Sequence, residues 1–236
     1  MSVVWRSVIT VTALVLFVSA GGPPDQLAKG EFDQSRPYYR QLIVTAVREG
    51  YASDVRARVL ITSVLSETLI GVRKVERGFQ VFTLRPEIAL SLYETLRDIE
   101  QGTFNRGSLQ LTRQQLEDTR KDLEATLPRD VRDVPIEKCV APISERAAAS
   151  VVGAWTRVLS RASETPPPDD GYIVLDGANF HFWVGGAQEY SGHVYAPRDG
   201  WPSKRLAVLG NAMYQLCKAR TPNSERDLER LANLVR

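Results

Sequence analysis

Two histidines carry the clearest chance of chemistry in this chain, and it holds no others. His181 and His193 lie in GYIVLDGANFHFWVGGAQEYSGHVYAP, residues 171–197, with Asp176, Glu189 and Ser191 close by in sequence. Imidazole titrates near neutral pH and serves as a general base or a metal ligand. A histidine beside a carboxylate and a serine is the outline of a hydrolase. A metal centre needs three or four ligands, and no third one stands at a defined spacing. Asp176 and Glu189 both fall in turns. No catalytic residue, metal or cofactor is therefore assigned. The nucleophile elbow, the His-Glu-x-x-His helix, the phosphate-binding glycine loop and Ser-x-x-Lys are all missing from the sequence.

The elements that must position these residues read as a three-stranded antiparallel meander. Asp176-Gly177 between β-prone runs is a two-residue hairpin signal. It would set Leu175 opposite Ala178 and Ile173 opposite Phe180. The connection 185–189 is longer. Closed symmetrically, it sets Val184 opposite Tyr190, Phe182 opposite Gly192, and His181 opposite His193. Alternation then puts Ile173, Leu175, Phe180, Phe182 and Val194 on a core face. Tyr172, Val174, His181, Trp183, His193 and Tyr195 share the other. Tyr172, His181, Trp183, His193 and Tyr195 are the candidate binding surface, since Tyr and Trp favour sites where an apolar body meets a polar tip. A helix of the same domain could equally cover that face.

Residues 1–20 read as a secretory signal: Arg6, an apolar run from Val8 to Val18, then small Ser19 and Ala20. The run is short for a bilayer span, so no integral span is expected after cleavage. An uncleaved anchor is the alternative. Residues 21–36 read as a polar linker, 37–219 as one domain, and 220–236 as a tail or short amphipathic helix through Leu228, Leu231 and Leu234. The formal net charge is only +2, and the arginines are scattered. Nothing here favours nucleic acid or an anionic membrane. In an exported chain Cys139 and Cys217, the two cysteines present, read as one disulfide.

Around the meander the pattern alternates between helix and strand. Pro37 opens a helix that Gly50 stops, with Tyr38, Leu42, Ala46 and Val47 inward. LIGVRKV and FQVFTL flank Glu76-Arg77-Gly78 as a three-residue hairpin, pairing Val72 with Phe82, Ile70 with Leu84 and Lys74 with Gln80. RVLITSVLSE before it reads as a further strand. Pro86 opens a helix bearing Ile88, Leu92, Leu96 and Ile99. Thr112 with Gln115 is a capping box for a solvated helix. Residues 128–143 read as extended. Ser144 caps a helix that buries Trp155, and Ser203 caps another that ends at Cys217. The fold class is α+β: an antiparallel hairpin and meander sheet packed with several helices and pinned by one disulfide.

The stretch DGANFHF, then SGHVYAP, then a helix ending in Cys217, resembles small exported bacterial proteins of uncharacterised activity. The block SVLSETLIGVRKVERGFQVF fits the same group. The resemblance implies a periplasmic home and supplies no activity. Taken with the signal, it gives a periplasmic or secreted binding and interaction protein. Such a protein would inhibit, or protect against, an envelope enzyme or toxin, with another envelope protein as partner. A hydrolase or metal-binding protein built on His181 and His193 is the alternative. A structural envelope component is the third reading. The enzyme question leans towards no.

Overall fold

The computed structural model describes residues 27–32, 36–63, 66–104, 111–163, 177–219 and 222–235. The predicted signal, the Asp-Gly turn residue Asp176 and the predicted strand around Tyr172 lie outside the described residues. The elements run β1 Ala28–Lys29, α1 Pro37–Ala46, β2 Val55–Thr62, β3 Glu67–Val75, β4 Gly78–Pro86, α2 Ser91–Glu100 and α3 Arg113–Thr126. They continue with β5 Ile136–Ile143, α4 Glu145–Leu159, β6 Asn179–Val184, β7 Tyr190–Tyr195, α5 Pro202–Ala219 and α6 Pro222–Leu234. All strand pairs are antiparallel, in the order β1-β7-β6-β2-β3-β4-β5. The class is α+β.

The sheet is covered on both faces, which decides its sequence pattern. On one face Val59, Ile70, Val72, Val81, Phe182 and Val194 form a buried cluster with Trp155 of α4, Leu206 and Met213 of α5 and Leu228 of α6. On the other, Leu60, Leu69, Phe82 and Leu84 pack with Leu42 and Ile43 of α1 and Leu90 and Tyr93 at α2. A strand buried on both faces reads as a continuous apolar run rather than an alternation.

That double coverage explains the register of the β3–β4 hairpin. Its connection is Glu76-Arg77, with Val75 opposite Gly78, so Val72 faces Val81 and Ile70 faces Thr83. Lys74 faces Phe79. The expected pairing with Phe82 and Leu84 is one residue out. Gly78 has φ +115° and takes the turn's strained position. Phe82 instead lies opposite Gly71, where a Cβ would stand 2.6 Å from its ring. The missing side chain leaves the ring its seat.

The largest correction concerns the meander. β6 pairs with β7 on one side and β2 on the other, from Ala57 opposite Val184 to Thr62 opposite Asn179. The place expected for Tyr172–Leu175 beside β6 is therefore held by β2. Smaller differences have local causes. Pro86 ends β4 opposite Ile136 rather than opening a helix, and β5 extends the sheet within the segment read only as extended. In α1 the buried residues are Tyr39, Leu42 and Ile43. Ser203 sits inside α5, whose first residue is Pro202. Leu27 is fully buried and Ala28–Lys29 pair with β7, so the expected linker reaches into the sheet. The tail folds as α6, with Leu228 and Ala232 fully buried. Arg157 and Arg205 donate to its last carbonyls, Ala232 O, Leu234 O and Val235 O, where the helix dipole favours cations.

Other expectations hold. Thr112 and Gln115 form the capping box on a helix with no buried residue. Ser144 accepts from Ala147 N–H. Trp155 is core. Cys139 and Cys217 are bridged, their Cα atoms 5.9 Å apart.

Candidate functional site

The symmetric closure of loop 185–189 is observed residue for residue, and it brings the histidines together. His181 lies directly opposite His193, ring centroids 6.2 Å apart. Their face is not open. Segment 27–32 runs across it, led by the short β1. His181 Nδ1–H donates to Glu31 O at 2.8 Å and His193 Nδ1–H donates to Gly30 O at 2.9 Å. A carbonyl only accepts, so both protons must sit on Nδ1. The Phe32 ring stacks on His181 at 5.1 Å. Thr62 Oγ1 stands 3.5 Å from His181 Nε2, at the limit of a hydrogen bond. His181 is buried and His193 half-buried. Gly30 N–H donates to Ser191 O at 3.2 Å. The histidines thus fasten the start of the domain to its last hairpin.

The carboxylate carried by this segment is also committed. Glu31 takes both a Nε–H and a Nη–H bond from Arg58, each at 2.9 Å. The Arg58 guanidinium lies over the Trp183 ring at 4.0 Å and the Tyr51 ring at 4.3 Å. Arg58 is 6% exposed, so its charge is held by one carboxylate and two ring faces. A planar guanidinium suits such a seat better than an ammonium would. Trp183 is thereby half-buried. Tyr195 is 48% exposed and lies against Gly177, where a Cβ would stand 2.5 Å from the ring. Of the four candidate binding residues that are described, Tyr195 alone is exposed; Tyr172 lies outside the described residues. Among the described residues no group of three or more His, Cys, Asp or Glu side chains is placed to hold a metal ion.

Next to this cluster lies a second buried acid. Glu67 accepts from Tyr39 OH at 2.5 Å and from Leu90 N–H at 3.1 Å, at the start of α2. Burial pushes the Tyr39 phenol well above its ordinary range, and the Glu67 charge and hydrogen bond push it further. Burial does the same for Tyr51, with the Glu31 charge next. The neutral phenol is favoured in the folded state. Its contribution to stability is present below the ordinary value of 10.0 and is lost as the pH rises towards the folded-state values. In a spectrophotometric titration between pH ~10 and ~12, at least two of the eight tyrosines are expected to stay un-ionised until the protein unfolds. Full tyrosinate absorbance from folded protein would contradict this.

A separate concave site opens at the far end of the same hairpin. A cleft of about 520 Å³ is lined by Ala178, Phe180, Ala196, Pro197, Arg198, Asp199 and Lys204. It lies where β6 begins, β7 ends and α5 starts. Phe180 supplies the apolar wall and stacks on Phe182 at 6.1 Å. Ala196 has φ +43° and is the non-glycine residue in the left-handed region among those described. That strained corner is tied down by Ala196 N–H to Ala178 O at 2.9 Å. Strain of this kind persists where the surroundings over-determine it, and it gathers at functional sites.

Sequence reasoning did not reach Arg58, Glu31, Glu67 or this cleft. For two of them a signal existed: Arg58 and Glu67 are charges set inside apolar strand runs, VRARVLIT and ETLIGVRKV. The cleft is built of unremarkable residue types and is visible only in three dimensions.

No protein-family model, no curated protein and no solved structure matches the chain. The fold and the site are therefore the basis for its function. They describe a disulfide-bridged α+β protein in which no described helix is long and apolar enough to cross a membrane.

Proposed function

We propose that the protein is exported to the periplasm through its N-terminal signal and acts there by binding rather than by catalysis. The supporting observation is the state of the histidine pair. Both Nδ1–H groups are engaged with main-chain carbonyls of segment 27–32, and the Glu31 carboxylate of that segment is engaged with Arg58. A general base must reach a substrate proton, and a metal needs converging ligands. A histidine that donates from Nδ1 keeps Nε2 as its basic nitrogen, and that of His181 is buried against Thr62 Oγ1, under the stacked Phe32 ring; in this reading the pair builds structure. The Cys139–Cys217 bridge supports an oxidising compartment. In this reading the partner is a component of the envelope, and any inhibitory or protective effect follows from occupancy.

The test uses the full chain expressed with its own leader. The oxidised, shortened protein is expected in the osmotic-shock fraction. The purified protein is expected to take up no stoichiometric zinc and to hydrolyse neither chromogenic acetyl nor phosphate esters. Zinc uptake or ester hydrolysis that disappears in the His181→Asn, His193→Asn double variant would overturn the binding reading in favour of a hydrolase or metal protein.

A further inference from the structure

We infer that the cleft between the β6–β7 strand ends and the start of α5 binds a small amphiphile with an apolar body and a single carboxylate head. The inference deepens the binding reading above and rests on it.

Size and lining set the class. About 520 Å³ falls within the range of small-molecule sites, which are mostly apolar with a few placed polar groups. Ala178, Phe180, Ala196 and Pro197 supply the apolar part. Among the polar lining residues Arg198 and Lys204 carry positive charge, and Asp199 is the acid.

One carboxylate already stands near Lys204. Asp199 Oδ1 stands 3.6 Å from Lys204 Nζ. That separation is an ion pair without a good hydrogen bond. The Asp199 side chain is 96% exposed and that of Lys204 is 41% exposed. An exposed pair of this kind is weak and readily exchanged. Asp199 thus occupies the rim as an internal stand-in for a ligand carboxylate. An incoming acid whose tail lies on Phe180 can displace it, because burying the tail adds a favourable term that Asp199 does not have.

The competition gives opposite signs for two neighbouring variants. The probe is octanoate, with octan-1-ol as its uncharged counterpart, titrated into the oxidised mature protein. Binding is read by calorimetry and by amide shifts of Ala178, Ala196 and Lys204. Octanoate is expected to bind at these amides more tightly than octan-1-ol. Asp199→Asn removes the competitor and should tighten octanoate about 2–5-fold. Lys204→Gln should weaken octanoate roughly fivefold or more. Neither variant should move octan-1-ol. Ala178→Trp, which fills the cleft, should abolish both, with an unchanged far-ultraviolet spectrum as the fold control. The proposal is overturned if octanoate leaves these amides unmoved, if both probes bind alike, or if Asp199→Asn weakens octanoate. These results would remove the cleft assignment and leave the histidine test of the binding reading standing, so the two failures are distinct.

Discussion

Replacing Arg58 by alanine is expected to destabilise the protein by about 3–5 kcal/mol, because it leaves the largely buried Glu31 carboxylate without its partner. Side-chain exposure is 7% for Arg58 and 12% for Glu31, and the contact is bidentate. Removing one member of such a pair costs more than the pair itself contributes, since the remaining charge keeps its desolvation and loses its compensation. The Trp183 and Tyr51 rings lose their cation as well, about 0.5–2 kcal/mol within that total. The effect should be local in its second consequence. Segment 27–32 is held by Glu31 to Arg58, by two carbonyls to the histidines and by the two-residue β1. With Arg58→Ala, amides of residues 28–31 should exchange hydrogen much faster, while the β3–β4 pairing keeps its protection. Urea unfolding measures the first effect and native-state hydrogen exchange the second. Arg58→Met combined with Glu31→Gln, which removes both charges of the pair, should recover most of the loss. A cost below about 1 kcal/mol for Arg58→Ala would mean that the pair is hydrated and that the segment is fastened elsewhere.

What could be read in the sequence was local. The β6–β7 register followed from a five-residue loop closing on two alternating strands, and it set His181 against His193 in advance. Thr112 with Gln115, Ser144 and the two cysteines were legible for the same reason, since each signal lies within a few residues or rests on a rare residue type. The partner of β6 was not legible. β2 and β6 are separated by more than a hundred residues, and no local signal links the two strands. Coverage of both sheet faces misled the register of β3 and β4. Val72 beside Phe82 looks like good core packing, but so does Val72 beside Val81, and a slip of one residue changed faces without exposing anything apolar.

The site was legible by residue type and not by role. His181, Trp183 and His193 do cluster, but their neighbours come from residues 28–32 and from Arg58, which no local pattern links to the hairpin. A two-residue strand lies below any periodicity. Its position depends on side-chain donors from β6 and β7 and on the small Gly192, where a Cβ would stand 2.8 Å from Leu27 Cγ. Part of the surface expected to face a partner, His181 above all, is therefore covered by residues 28–32, while Tyr195 stays exposed. The open cleft moved to the other end of the hairpin, where Ala196 turns the chain towards α5.

The second large effect is expected from the disulfide. Cys139 lies in β5, an edge strand of the sheet, and Cys217 lies near the end of α5, which packs over β3, β4 and β5. The bridge spans 78 residues and closes a loop that contains α4, the β6–β7 hairpin and most of α5. Constraining a loop of that length in the unfolded chain corresponds to about 4–5 kcal/mol in the chain-entropy account. The Cys139→Ala, Cys217→Ala double variant should lose a stabilisation of that order in urea unfolding. Reductant should lower the midpoint of the wild type and leave that of the variant unmoved. Cys217 is 1% exposed, so its replacement also removes some packing, and the reductant comparison separates the two terms. The same argument links fold to compartment. A chain that owes this much of its stability to one bridge is expected to accumulate poorly when made without residues 1–20 in a reducing cytosol, and well when directed to an oxidising compartment. Equal stability with and without the bridge would place the stability in the helical layer of α4, α5 and α6, and the cysteines would then no longer argue for an oxidising home.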